Sequence, residues 1–474
     1  MRLRLGIASL AAAALLAPAS GQASELEVYS NTQLNVQNQW RPKFNETTLT
    51  WDGASTTVVP LYEFLSLSGR NIDIPGGQLL FQVDAWGGVN LGSNPWWNGY
   101  TNTGSFSGDL NLAYLQGRFL NNQLRVTLGR QTVGYGNSRM LQLDGGSVQG
   151  VIAKMITVDG YAGVPTTQRF TAYGNVYSAN PTLGDLAVGG RLGFAWTTWL
   201  NTGVSAAFSW DKGDATREDV ALDLRFSPVS WMYLLGYVDW SLFASNYFES
   251  FGSQIADANV SLVFPVSQFL QFTAEYTYSV PSLALPYNSI LWVFTDNTHQ
   301  YLGATARVGL EAFKVQAPVD FEVGYRRIFE DWSDVGSTSP SGDRFFLRVS
   351  WRPNKNATVG AEGSRLFLPQ HIVPPGAPSG VVPQEGYAQA RAFGSLRMYG
   401  ITGTLDFQGY WFDQPVNAIW SSIIGSATLG YDVGGGFAVV GALQGGATPY
   451  YSSYLSGLVK LTYNASYRFR EVYE

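Results

Sequence analysis

A chain of 474 residues with no cysteine and only two histidines cannot be stapled by disulfides and has no thiol chemistry. Charged residues make up 14% and hydrophobic ones 45%, where a soluble globular protein carries about a quarter charged; the charge is lost without long apolar runs taking its place. The net charge of −6 gives no reason to expect nucleic acid as a partner.

The opening stretch MRLRLGIASLAAAALLAPASGQA has the anatomy of a secretory signal peptide. Arg2 and Arg4 form its positive end, Gly6 to Ala17 the apolar stretch, and Gly21-Gln22-Ala23 a small-x-small cleavage site. The apolar part is too short to span a bilayer, and no later window approaches the roughly 20 consecutive apolar residues of a membrane helix. The expected division is a signal peptide over 1–23 and one continuous unit over 24–474, without a second domain or a linker.

From Glu25 onward the pattern has a period of two. In GGQLLFQVDAWGGVNLG (76–92), Leu79, Phe81, Val83, Ala85 and Val89 alternate with Leu80, Gln82, Asp84, Trp86 and Asn90. The same alternation returns around Leu186–Trp196, Val204–Trp210, Val220–Phe226, Leu270–Tyr278 and Phe345–Trp351. Successive side chains of a strand point to opposite faces, so each segment has an apolar face and a polar one. Short turn signals at Pro75-Gly76-Gly77, Asn121-Asn122, 227–230, 265–268, 353–356 and 432–436 alternate with longer polar connections. Those longer ones fall at about 41–60, 92–107, 164–183, 280–299, 330–342 and 368–385. This regularity predicts an all-β, antiparallel, up-and-down transmembrane β-barrel of 18–22 strands, even in number, in the outer membrane.

Three features turn the apolar register toward lipid. Charges at strand centres fall on the opposite register: Asp84, Arg125, Arg191, Asp223, Asp239, Glu275, Arg307, Glu322, Arg348, Glu362, Arg391 and Asp406. A basic side chain facing lipid at the midplane costs about 2–4 kcal/mol. Arg70, Arg118 and Arg365 read as exceptions near strand ends, where a long side chain can snorkel. Second, Trp210, Trp240 and Trp411 sit toward the long loops, and Trp196 and Trp351 toward the short turns, as two aromatic belts would. Third, a secreted β-sandwich, the competing fold, would not need about 450 residues of uninterrupted meander; a membrane also demands closure of the sheet, since an open edge leaves backbone groups unpaired in hydrocarbon.

The polar register is the expected lining of an aqueous lumen. Its candidate pore-lining residues are Asp84, Arg125, Arg191, Glu275, Arg307, Arg326, Arg344, Arg348, Arg352, Arg391, Arg397 and Asp406. The arginines of 300–397 come from consecutive strands and would line one wall, either as a track for an anionic solute or as braces paired with Asp320, Glu322, Glu362 and Asp406. Planar, bidentate partners such as carboxylates and phosphates suit arginine. Trp86, Tyr233, Tyr237, Phe393 and Tyr410 could stack on sugar rings or simply fill space. The Pro/Gly-rich stretch 368–386 and the loop 280–299 are candidates to constrict the pore. His299 and His371 lie in or beside loops with no spaced partner, so no metal, cofactor or enzymatic site is expected.

The stretch LAYLQGRFLNNQLRVTLGRQTVGYGNSRMLQLDGGSVQGV, 112–151, resembles the segment of porin-like barrels, alginate-export barrels among them, that carries AYLQ, LGRQ and DG. The matching positions are Gly129, Arg130, Gln131, Arg139, Asp144 and Gly145. The resemblance implies an outer-membrane channel, with export of a secreted polysaccharide and a periplasmic export partner as its specific form. The competing expectation is a general or selective diffusion porin for small hydrophilic solutes. A barrel serving adhesion or structure through its loops is a third. Alginate-export barrels are similar to 18-stranded pores with a strongly basic lumen, whereas this chain has more strands and more mixed charge. Its last residues run past the final aromatic through REVYE.

Overall fold

The computed structural model describes residues 24–45, 50–92, 106–134, 141–166, 184–242, 254–280, 298–313, 317–331, 341–368, 386–416, 419–448 and 451–469. The signal-peptide segment, Arg139, His371, the terminal REVYE and most of the two candidate constriction loops lie outside the described residues.

Alternation makes nearly all of this extended chain. The first strands are β1 (Ser24–Asn45), β2 (Thr50–Val58), β3 (Pro60–Ile74), β4 (Gly77–Asn90), β5 (Phe106–Phe119) and β6 (Leu124–Val133). Next come β7 (Leu141–Ile152), β8 (Ile156–Thr166), β9 (Leu186–Trp196), β10 (Leu200–Asp211), β11 (Asp214–Val229) and β12 (Met232–Ser241). They are followed by β13 (Gln254–Ser267), β14 (Leu270–Ser279), β15 (Thr298–Gly309), β16 (Val319–Asp331), β17 (Ser341–Asn354) and β18 (Ala357–Phe367). The last are β19 (Tyr387–Met398), β20 (Ile401–Val416), β21 (Ile419–Gly434), β22 (Phe437–Thr448) and β23 (Tyr451–Phe469).

Each strand pairs antiparallel with its neighbours in sequence, and β23 closes onto β1 from Ser24↔Phe469 to Gln37↔Ser456. β2 and β3 are one strand in two pieces. Leu34 faces Leu61 and Gln37 faces Val58 in unbroken register along β1, and the gap falls beside Pro60, which has no N–H to give the ladder. The result is a closed barrel of 22 strands. Followed once around, the pairing returns to β1 displaced by about 24 residues, which for a regular barrel corresponds to strands tilted by about 37°. At that tilt ten residues rise about 26 Å, enough to cross the apolar band of about 25 Å.

One expected connection is corrected. Much of 41–60 is not loop: β1 and β2 stay paired to Asn45↔Thr50. From Asn38 and Thr57 outward the two pair only with each other among the described strands, so this hairpin projects beyond the rim.

The outer face carries Leu128, Leu192, Leu347, Leu405 and Leu443, all exposed. Short turns gather at one end of the barrel, for example Pro75-Gly76 with Gly76 at φ +83°. Aromatic residues ring both ends of the apolar band: Trp196, Trp351 and Tyr431 at the turn end, Trp411, Phe345 and Phe367 at the loop end. A closed sheet with an apolar exterior and two aromatic girdles is an outer-membrane β-barrel.

Candidate functional site

Pairing carries the two-residue period from strand to strand, so one face can be traced around the whole barrel. Asp84, Arg125, Arg191, Glu275, Arg307, Arg326, Arg344, Arg348, Arg391, Arg397 and Asp406 all fall on the register opposite the exposed leucines, turned into the lumen. Arg352 joins them, reaching lumenal Asp320 at 2.7 Å. Arg70 and Arg118 are corrections to the lipid-side reading. Arg70 faces Glu25 and bonds Glu27 at 3.2 Å, and Arg118 donates to Gln116. Both belong to the lumen. Apolar lumenal positions such as Leu80 and Leu112, together with Gly69 and Gly117 on the lipid side, blur the alternation there.

The lumenal charges form cross-strand belts. Arg191 of β9 holds Asp223 of β11 through two bonds, Nη2–Oδ1 at 2.7 Å and Nε–Oδ2 at 2.9 Å. Arg326 of β16 reaches Glu275 of β14 at 2.9 Å. Asp320 takes Arg352 and Arg307, the latter at 3.3 Å. Arg391 donates through Nε to Asp406 at 2.9 Å, with a second bond from Nη2. Glu322 and Glu362 stand opposite Arg348 in the ladder but form no ion pair within 4 Å among the described residues. Among the described residues Arg125, Arg344, Arg348 and Arg397 have no carboxylate at that distance either.

Two belts skip a strand, and a glycine makes the crossing possible. Gly303 of β15 lies between Glu275 and Arg326; a Cβ there would meet Arg326 Cγ at 3.0 Å and Glu275 Oε1 at 3.2 Å. The Arg191 guanidinium lies over Gly193 and Gly203, where a Cβ would come within 2.3 and 2.5 Å of it. These glycines escaped the sequence reading; an interior strand glycine signals such close approach.

Aromatic rings interleave with the arginines. Arg326 sits 5.0 Å from the centre of the Tyr301 ring and 5.9 Å from Phe346. Arg348 and Arg391 share the Phe393 ring at 5.0 and 5.2 Å, and Tyr387 meets Tyr410 edge-on at 5.7 Å. Guanidiniums within about 6 Å of a ring gain from its quadrupole. Trp86 behaves differently, buried with Val58 and Tyr62 near the rim, and Tyr237 donates to Asp257 at 3.1 Å.

The segment that resembles porin-like barrels splits between the faces. Arg130 and Asp144 pair bidentately at 2.7 Å on the lipid-facing register, while Gln131 accepts from Ser147 inside. Gly129 has φ +118°, and a Cβ there would lie 2.2 Å from the Ala113 carbonyl. His299 lies in β15, opposite Ser279 and Glu330. No cluster of three or more metal-ligating side chains occurs among the described residues.

No family model matches the chain, and no curated protein matches it in sequence. Solved structures similar to it include Pseudomonas aeruginosa OccK11 (OpdR), at 9% identity and TM-score 0.39, covering 94% of this chain and 96% of that one. Acinetobacter baumannii OccAB4 has 11% identity, TM-score 0.40 and coverage of 95% and 100%. The P pilus usher (PapC) translocation pore has 10% identity, TM-score 0.45 and coverage of 93% and 99%. At these scores nothing about this chain's solute or partners follows from them.

Proposed function

We propose that the protein is an outer-membrane channel through which small hydrophilic solutes diffuse, with anions favoured along the wall from β16 to β19. The state of the lumenal arginines carries this reading. Arg191, Arg307, Arg326, Arg352 and Arg391 are each held by a carboxylate. That leaves Arg344, Arg348 and Arg397 as the wall's arginines without a carboxylate within 4 Å among the described residues. A charge-balanced wall gives a polyanion no continuous basic track, yet three such arginines against Glu322 and Glu362, which stand opposite Arg348 without an ion pair, leave a small positive excess that biases a small anion. The chain reads as a passive channel with no enzymatic role.

Polysaccharide export is the second reading, supported by Tyr387, Phe393 and Tyr410 beside Arg391. It alone calls for a periplasmic partner. Single-channel recording with acidic and neutral oligosaccharides separates the two: sugar-dependent closures favour export, and steady conductance favours diffusion.

Selectivity tests the charge argument in both directions. The double variant R344Q/R348Q should lower the anion-to-cation permeability ratio about twofold to fivefold at 0.1 M salt, the scale of roughly 1 kcal/mol for a charge met at contact in water. Asp406→Asn frees Arg391 and should move the ratio the other way. Reversal potentials in a salt gradient read both, and unchanged ratios would make these arginines braces alone.

A further inference from the structure

Charge on the lipid-facing register is confined to one end of the barrel. Glu63, Arg130, Asp144, Glu218, Arg327, Asp343, Arg365 and Asp413 all lie toward the loops, and among the described residues no charged strand side chain of this register lies toward the turns. The loop end is the outer leaflet, where headgroups meet the barrel.

The arginines there differ in what they have left to give. Arg130 spends Nε and Nη2 on Asp144 and Nη1 on the Leu110 carbonyl. Arg365 spends only Nη2, on Asp413 at 2.6 Å, and lies 5.0 Å from the Phe367 ring centre. Arg327 is more fully engaged: it bonds Asp343 and Ser341 through Nη1 and Nη2 and also meets the Tyr325 hydroxyl. Their side chains are 36% and 35% exposed. Arg327 and Arg365 stand two strands apart, about 10 Å across the sheet. Between them runs an aromatic floor: Tyr325 lies 5.0 Å from Phe345, and Phe345 meets Phe367 edge-on at 6.2 Å.

Below this patch β18 and β19 present Ala361, Gly363, Ala388, Ala390 and Ala392 outward, and a Cβ built on Gly363 would touch nothing within 4 Å. The wall beneath the arginines is thus a shallow trough.

We propose that this patch seats a phosphorylated glycolipid of the outer leaflet. The free Nε and Nη1 of Arg365 receive phosphate oxygens, the half-exposed Arg327 guanidinium adds its charge from the other side, the rings support the sugar between them, and an acyl chain lies along the trough. Guanidinium donors suit phosphate, and aromatic faces offer the sugar an apolar platform. Asp413 holds the Arg365 guanidinium by one side and leaves the other facing lipid. A single Arg–Asp pair explains neither the unspent donors nor the absence of lipid-facing charge at the turn end.

The test places the full-length protein in phosphatidylcholine nanodiscs, alone or doped with lipid A carrying both phosphates. Native mass spectrometry counts retained lipid A, and thermal unfolding reads the stabilisation. The doped protein should retain lipid A and gain several degrees, and R327Q/R365Q should lose both effects while matching wild type in phosphatidylcholine alone. The quadruple variant R327Q/D343N/R365Q/D413N guards against unpaired aspartates and should behave as the double. Equal gain from dephosphorylated lipid A, or full retention by the quadruple variant, would overturn the proposal. A change of oligomeric mass in these variants with lipid retained would instead assign the patch to a second copy.

Discussion

Leu347→Arg should destabilise the barrel by about 2–4 kcal/mol, while Arg348→Leu, one residue along, should cost less than about 1 kcal/mol, since a half-buried lumenal arginine with no ion pair contributes little. Leu347 is at the centre of β17, exposed on the lipid face between Val323 and Gly363. Its neighbours on that face offer no carboxylate; Asp343, four residues toward the loop, is engaged by Arg327. An arginine at 347 would have to reach an interface by bending the bilayer or itself. Arg348 faces water in the lumen and rests on Phe393, so leucine there removes one cation–π contact and leaves no buried charge. Urea unfolding in phosphatidylcholine vesicles, followed by tryptophan fluorescence, gives both numbers. If Arg348→Leu costs more than Leu347→Arg, the assignment of faces is reversed around the entire barrel.

The face of each strand was readable because lipid enforces it: one misplaced charge at the midplane is expensive, so Leu79, Phe81, Val83 and Ala85 fall on one side and Gln82 and Asp84 on the other. The constraint relaxes at the ends and above the rim. There the polar run 41–60 looked like a loop although its backbone continues as a paired hairpin. It relaxes again where the lumenal register holds apolar residues, which is why Arg70 and Arg118 were assigned to lipid. The site was legible as a set and opaque as a set of pairs. That Arg326 lies inside follows from periodicity. That it reaches past β15 to Glu275, and leaves Glu322 and Glu362 without an ion pair among the described residues, depends on register across three strands and on a glycine at 303. One chain's alternation carries neither.

Gly203→Val carries the second large effect, because Arg191 has no other way to reach Asp223. The guanidinium crosses β10 directly over Gly203, with Gly193 beneath it on its own strand. A valine would occupy the space now filled by Arg191 Nε, Cζ and Nη2, all 2.5 Å from where a Cβ would stand. Arginine is flexible and can swing into the lumen, but the bidentate geometry cannot survive the move. The side chains are 13% and 20% exposed, so among the described residues this is the most enclosed of the lumenal pairs, and its loss plus overpacking should cost about 1–3 kcal/mol. Gly203→Ala should show a smaller part of the same loss. The cost should depend on the pair: in an R191Q/D223N background, where no guanidinium crosses the glycine, valine at 203 should be tolerated to within about 1 kcal/mol. A cost equal in both backgrounds would mean that Gly203 serves the backbone of β10 and not the ion pair. In selectivity, Gly203→Val separates Arg191 from Asp223 without deleting either charge, so net charge stays fixed while the local field changes. A shifted reversal potential in this variant, with none in R191Q/D223N, would show that solutes sense where the lumenal charges sit as well as how many there are.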